Sequence, residues 1–238
     1  MTGDLRVFIG WDSREPVAAA VLMHSILARA SAPVSLIPLT LASVAPFYRR
    51  PRAATESTEF SFTRFLVPYL SRYQGYSVFM DCDMLCQVDL WSLVEHIDAQ
   101  PDKAVLVCPH DYIPKTATKM DGQVQTVYPR KNWSSLMVFQ NAKCHALSRE
   151  YVNTASGAAL HQFQWVPDAA IGMLPLTWNH LVGEYAPNPH AEILHYTLGG
   201  PWFQNHRDCD HADLWLRERD AMLGAPASGW RRWLGWSA

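Results

Sequence analysis

An α/β fold, one mostly parallel sheet flanked by helices, is what this chain of 238 residues predicts. Three observations carry the expectation. Over the first 150 residues, short apolar runs alternate with helix-length segments, the order that builds a parallel sheet with helices on both faces. The run 76–80 reads as apolar on both faces, as a strand inside such a sheet does. No internal repeat and no long linker divides the chain, so a single domain with an irregular C-terminal subregion is expected.

Residues 6–10 are a short apolar run closed by Gly10, which predicts a buried first strand. Residues 16–30 have helical character, and Ser13 stands upstream as a candidate N-cap. Residues 34–39 predict a second strand. Residues 60–73 predict a helix that carries Arg64 and bends at Pro68, because proline removes a helical hydrogen bond. The third strand is 76–80, a helix follows at 89–97, and the fourth strand is 104–108. Residues 136–139 predict a fifth strand and 142–152 the helix after it. Beyond residue 153 the pattern loosens into short runs such as 193–196, set between loops with proline and glycine. The expected division is a domain over 1–223 and an aromatic, basic tail over 224–238.

Hydrophobic residues make up 49% of the chain and charged residues 18%, a balance that excludes a disordered polymer. The net charge of −2 argues against a nucleic-acid partner, since such binders are usually basic. Five cysteines without a CxxC pair predict reduced thiols in a cytoplasmic protein. The first residues show no basic stretch followed by an apolar one, so no signal peptide is expected. The longest apolar stretch, 16–30, is interrupted by His24, Ser25 and Arg29 and falls short of the about 20 residues that a bilayer span needs.

Open α/β sheets bind ligands beyond the C-terminal ends of their strands. The glycine fingerprints that cradle phosphates there are missing: no GxGxxG follows the first strand, and no P-loop occurs. Asp81-Cys82-Asp83 follows the run 76–80 instead. In an extended segment, residues two apart point the same way, so the carboxylates of Asp81 and Asp83 converge. Two anions so placed repel unless a cation joins them, and oxygen ligands suit Mg2+ or Mn2+. Such a cation grips a diphosphate without a glycine loop. The competing reading is a solvated acidic turn with Asp89 capping the next helix. His206, Cys209 and His211 have zinc-like residue types, but their spacing fits no tetrahedral motif.

At this stretch the chain resembles a family. Residues 75–93, Gly-Tyr-Ser-Val-Phe-Met-Asp-Cys-Asp-Met-Leu-Cys-Gln-Val-Asp-Leu-Trp-Ser-Leu, are similar to the signature around the DxD of retaining glycosyltransferases of family 8, which include glycogenin and bacterial lipopolysaccharide galactosyltransferases. Further matches fall in the same order. Residues 8–12 resemble the nucleotide-binding end of the first strand, and 62–64 the arginine helix. Residues 132–141 resemble the family's "fNaGvmvfN" segment, 174–179 its "LP..wN", and 195–202 its terminal "HxxGxxKPW". The similarity covers roughly residues 5–203 as an ordered set.

The resemblance implies a GT-A (Rossmann-like) fold and transfer of a hexose from a nucleotide sugar, UDP-linked, with retention at the anomeric carbon. It implies that Asp81, Asp83 and His195 bind Mn2+ (or Mg2+), and an imidazole ligand suits Mn2+ the better of the two. It matches Gly10 and Asp12 to the uracil contacts, Arg64 to the donor sugar or diphosphate, and Asp111 to the donor sugar. Gln162 matches a glutamine near the reacting carbon, with Asp168 as a competing acidic group on that segment. Asn132, Gly199 and Gly200 match donor-binding positions. The chain departs from the pattern at four places: His161 stands for the aspartate before the glutamine, Ser134 for a glycine, Leu198 for another glycine, and Gly200 precedes Pro201 where the family has a diphosphate-binding lysine.

Those departures make a non-catalytic sugar- or nucleotide-binding protein of the same fold the second reading. A nucleotidyltransferase is disfavoured, because residues 10–15 hold one glycine and no glycine-rich loop. The acceptor is expected to be a sugar, a lipid-linked molecule or a protein. Trp230, Arg231, Arg232, Trp233 and Trp236 leave two readings open: the tryptophans fold back and cover apolar surface of the domain, or the segment makes a weak contact with the inner face of a membrane, since indoles favour the headgroup region and arginines favour anionic lipid.

Overall fold

The computed structural model describes residues 5–52, 56–115, 118–119, 123–124 and 129–224. Residues 225–238, which hold the aromatic and basic residues of the expected tail, lie outside the described residues. The chain opens with β1 (Leu5–Gly10), α1 (Pro16–Leu27), β2 (Val34–Leu39) and the short α2 (Leu41–Val44). It continues through α3 (Val67–Leu70), β3 (Tyr76–Met80), β4 (Met84–Cys86), α4 (Leu93–Asp98) and β5 (Val105–Val107). A small antiparallel pair, β6 (Thr118–Lys119) and β7 (Gln123–Val124), precedes β8 (Leu136–Gln140), α5 (Arg149–Thr154) and α6 (Gly157–His161). The chain then forms β9 (Ile171–Met173), β10 (His180–Leu181), β11 (Ile193–His195) and α7 (Ala212–Met222).

Six strands form the main sheet in the order β2-β1-β3-β8-β5-β9. All run parallel except β8, which is antiparallel to both neighbours. Consecutive buried residues along β3 and β8 show that both sheet faces are covered. Val7, Ile9, Val78, Phe79, Val105, Met137 and Phe139 are fully buried and form the centre of the core. The predicted α/β class and the mostly parallel sheet are thus observed.

A second sheet, β10-β11-β4, lies beside the first. The chain passes from β3 in the main sheet to β4 in the small one through Asp81, Cys82 and Asp83. Val21, Leu85, Leu194, Tyr196 and Trp215 form a separate apolar cluster that joins α1, β4, β11 and α7. Among the described residues, no helix is long and apolar enough to cross a membrane.

Several expected boundaries shift. Pro16 occupies the first turn of α1, where its missing N–H costs nothing. Ser13 does not cap this helix, because its hydroxyl donates to Glu59 Oε1 at 2.6 Å. The expected helix over 60–73 breaks into a 3-10 turn, Thr63–Leu66, and α3. Pro68 bends nothing there, since it sits in the first turn of α3. The helix expected over 142–152 is realised only as α5, because Ser148 caps it by accepting from the Tyr151 N–H at 3.1 Å. Asp89 does cap, accepting from the Trp91 N–H at 3.0 Å.

Candidate functional site

The parallel strands β1 and β3 end together, with Ile9 opposite Met80. β8 starts at the same edge, with Leu136 opposite Met80, so the turn 132–135 lies against the acidic segment. The Asp81 N–H donates to the Ser135 carbonyl at 3.0 Å. Cys82 points into the core at 0% exposure, and Asp81 and Asp83 are left on the other side. Burial, with the charges of Glu15, Asp83 and Asp81 adding to it, holds the Cys82 thiol well above its ordinary range.

β4 pairs with β11 and sets Met84 opposite His195. The Tyr196 N–H donates to the Asp83 carbonyl at 2.9 Å, which seals the junction. This pairing brings together residues more than a hundred positions apart. Ligand atoms of Asp81, Asp83 and His195 all lie within 4.8 Å of one another. His195 Nε2 stands 3.3 Å from Asp83 Oδ1.

A chain of hydrogen bonds sets the imidazole. Ser135 Oγ donates to the Asn132 carbonyl at 2.7 Å, and so accepts from Asn179 Nδ2 at 2.8 Å. Asn179 therefore turns its Oδ1 to His195 Nδ1, which donates at 2.8 Å. With Nδ1 held by Asn179, Nε2 is the ring nitrogen turned toward the carboxylates, the orientation of a metal-binding histidine held by an outer partner. Two oxygen donors and one imidazole nitrogen fit Mn2+ or Mg2+, with the nitrogen favouring Mn2+. The site's donor chemistry thus fits the expected cation.

Arg64 is buried and committed. Its Nη1 lies 2.8 Å from Asp81 Oδ1 and 2.9 Å from the Ser134 carbonyl, and its Nε donates to the Phe60 carbonyl at 3.2 Å. The guanidinium also lies over the rings of Phe60 and Phe79. It holds Asp81 in place rather than reaching outward. Gly10 closes β1 against Phe60, where a Cβ would sit 2.6 Å from the ring.

Asp12 is fully buried, and Arg14 N and Nε donate to its Oδ1 while Arg14 Nη2 and Glu59 N donate to its Oδ2. Burial raises its pKa, and the bonds from Arg14 and Glu59 outweigh that, leaving it below the ordinary value. Asn132 adopts a left-handed conformation, φ 62°, and donates from Nδ2 to Tyr112 Oη at 2.7 Å. Gly199, at φ +118°, packs on His206, and Gly200 packs on Trp202.

Other candidates lie apart from this group. Asp111 is exposed, while its neighbour His110 is buried and shares a 2.9 Å hydrogen bond with Tyr185 Oη. Burial, with His195 and His180 nearby, pushes the His110 imidazole down to about 3, so it is neutral. Gln162 ends α6, half-buried, with its carbonyl accepting from Arg130 Nη1 at 2.9 Å. Asp168 is an exposed partner of Arg130 at 2.8 Å. His206, Cys209 and His211 do not converge, since the Asp81, Asp83 and His195 group is the one metal-competent cluster among the described residues.

Asn179 and His110 escaped sequence reasoning as site residues. Asn179 lies within a motif that matched, yet only tertiary contact gives it a role. His161 also belongs here: its Nδ1 shares a 2.9 Å hydrogen bond with Ser134 Oγ, so two departures from the family pattern touch one another.

No family model matches the chain. Protein CDI of Arabidopsis thaliana is 48% identical over 225 residues, covering 90% of this chain and 86% of that protein. Among solved structures, the apo bifunctional glycosyltransferase WbbM superposes with a TM-score of 0.66 at 16% identity, over 98% of this chain. The chain spans 51% of the WbbM chain, about half its length. The galactosyltransferase LgtC, in complex with donor and acceptor sugar analogues, superposes with a TM-score of 0.54 at 13% identity, over 97% of this chain and 99% of that one. At these identities the likeness to WbbM and LgtC is one of fold.

Proposed function

The chain belongs to the family of Arabidopsis thaliana Protein CDI and has the GT-A fold of WbbM and LgtC, and from that premise we propose that it is a metal-dependent glycosyltransferase. It moves a hexose from a nucleotide sugar, UDP-linked, to a sugar, lipid-linked or protein acceptor, with retention. The observation that carries this reading is the cluster of Asp81, Asp83 and His195 at the strand ends, with the His195 ring oriented by Asn179.

Asp81, Asp83 and His195 would hold the cation. When bound, that cation supplies positive charge to the donor's diphosphate and stabilises the departing nucleotide. Arg64 positions Asp81, and Asn179 positions His195. Gly10, Asn132, Gly199 and Gly200 line the donor pocket with backbone, and Asp12 holds the loop after β1 that faces the uracil. The donor-sugar contact expected of exposed Asp111 suits buried, neutral His110 better, because its Nε2, left over from the Nδ1 bond to Tyr185, can exchange one hydrogen bond with a sugar hydroxyl. Gln162 and the Arg130-tethered segment stand for the reacting end. Among the described residues no carboxylate is set apart as a nucleophile, so a front-face route, in which the leaving phosphate oxygen takes the acceptor's hydroxyl proton, fits at least as well as a covalent intermediate.

The test is calorimetry of UDP with and without Mn2+, on wild type and Asp83→Asn. Wild type should bind UDP only with Mn2+, whereas Asp83→Asn should lose that binding and keep the melting temperature of the metal-free protein. Equal binding by the variant removes the site assignment. Gly200 in place of a lysine favours a second reading, a nucleotide-sugar binder without turnover. Release of hexose from UDP-sugars in the presence of Mn2+ decides for the enzyme.

A further inference from the structure

The main sheet ends in β2 on one side and β9 on the other. The edge of a sheet offers unpaired N–H and C=O groups to any further strand, including one from a second copy of the same chain. At β9 those groups are used up. The Ala104 N–H donates to the Ala170 carbonyl and the Leu174 N–H to the Val107 carbonyl, so residues 170, 172 and 174 turn their backbone to β5. Ile171 and Met173 therefore face outward. The Ile171 N–H donates to the Asp168 carbonyl. The Gln100 amide takes both groups of Met173, with Nε2 donating to the carbonyl and Oε1 accepting from the N–H, each at 3.0 Å.

β2 is closed by other means. The Leu5 N–H donates to the Pro33 carbonyl and the Trp11 N–H to the Leu39 carbonyl, so residues 33, 35, 37 and 39 turn their backbone to β1. Ala32, Val34, Leu36 and Pro38 face the open edge. The Trp91 indole donates to the Ala32 carbonyl at 3.0 Å and ends the edge on that side. Pro38 has no N–H and ends it on the other. Its ladder to β1 stays intact, because the missing N–H is one that would point away from β1. Between these two stops the N–H groups of Val34 and Leu36 remain, and no described residue accepts from them.

The composition of this stretch makes the stop at Pro38 matter. No charged residue stands between Arg29 and Arg49. The strand itself, Val-Ser-Leu-Ile-Pro-Leu, has none of the charges that repel a partner at other sheet edges. Apart from its proline it has the apolar, β-branched character of a self-pairing segment. With another residue at 38, two copies of β2 would pair antiparallel about Leu36, Val34 of each opposite residue 38 of the other. Proline deletes an N–H at both ends of that pairing and sets its ring against the incoming chain.

We propose that Pro38 guards the free edge of β2, holding the main sheet at six strands by denying a second copy of this chain the N–H that its docking needs.

The test compares wild type, Pro38→Val, Pro38→Thr and Pro38→Lys by sedimentation velocity across a dilution series, with circular dichroism to confirm the fold. Valine restores the N–H on an uncharged edge and should strengthen dimerisation at least about tenfold over wild type, the value of two recovered backbone hydrogen bonds per dimer. Threonine restores the same N–H and serves in its place if the valine variant does not fold. Lysine also restores the N–H but adds a charge at the edge, and should sediment as wild type does. A folded valine or threonine variant that sediments like wild type overturns the proposal, as does a lysine variant that associates as strongly as they do. A dimer that leaves the Val34 and Leu36 amides unprotected from exchange places the contact elsewhere and overturns it too. Wild type gives a reading that needs no variant, amide exchange followed by nuclear magnetic resonance. Its Val34 and Leu36 amides should exchange at least about tenfold faster than that of Ile37, which faces β1. Equal protection of the three means that the edge is already paired, and the guard is then refuted.

Discussion

Arg64 shows how a buried charge is tolerated at this site. It is 5% exposed, paired with Asp81, bonded to two carbonyls and sandwiched near two rings. Removing it strands the Asp81 carboxylate in the interior, which costs about 3–5 kcal/mol. Urea unfolding of Arg64→Met should show that loss. Arg64→Lys should recover only part of it, because an ammonium cannot serve Asp81, Ser134 and Phe60 from one planar fork. Gly200 makes the opposite case, a residue whose value is its missing side chain. Gly200→Ala should cost about 1–3 kcal/mol through overpacking against Trp202, read as a lower melting temperature with the fold retained.

At the scale of elements, α1 is the hinge of the architecture. One face packs on β4, and its far end is tied to α7. Glu218 on α7 accepts from Arg29 Nη2 at 2.8 Å and meets His24 Nδ1 at 2.6 Å. Burial raises the Glu218 pKa, but those two partners outweigh it and leave it depressed. A depressed carboxyl contributes stability above its unfolded value, and the contribution is lost as pH falls through the folded value. Glu218→Gln should therefore lose about 1–3 kcal/mol at pH 7. The gap between variant and wild type should close as pH falls below the ordinary glutamate range, as paired denaturation curves between pH 7 and pH 3 can measure.

At the scale of the whole molecule, the described residues should unfold as one unit, because the site joins β3 and β4 to the late strand β11. β9 completes the main sheet beside β5, and β11 is the strand that pairs β4. A fragment ending at residue 165 lacks β9, β11 and α7. It should show no cooperative transition, since β4 and the inner face of α1 lose their cover. In the full chain, far-ultraviolet and near-ultraviolet circular dichroism should report the same melting midpoint, and the midpoint should rise with Mn2+ and UDP together by mass action. Separate midpoints would show that residues 171–223 are an independent unit.

The sequence by itself determined the α/β class, the strands at residues 6–10, 34–39 and 76–80, and the acidic segment at the sheet edge. Local signals sufficed there: apolar runs long enough to be covered on both faces, and two carboxylates spaced to share one side of an extended chain. The three metal-competent residues were legible only because His195 lies in a matching motif. Nothing in its own surroundings distinguishes it from the other histidines. Tertiary structure alone decided the rest. The three-residue β4 and β11 are too short to show a period, so the pairing that carries His195 to Asp83 had no local sign. The orientation of His195 by Asn179, the commitment of Arg64 to Asp81 and the burial of Asp12 under Arg14 depend on contacts across the sheet edge. So does the closure of β9 by Gln100, because burial and hydrogen-bond partnership are properties of a packed environment that no single stretch of chain contains.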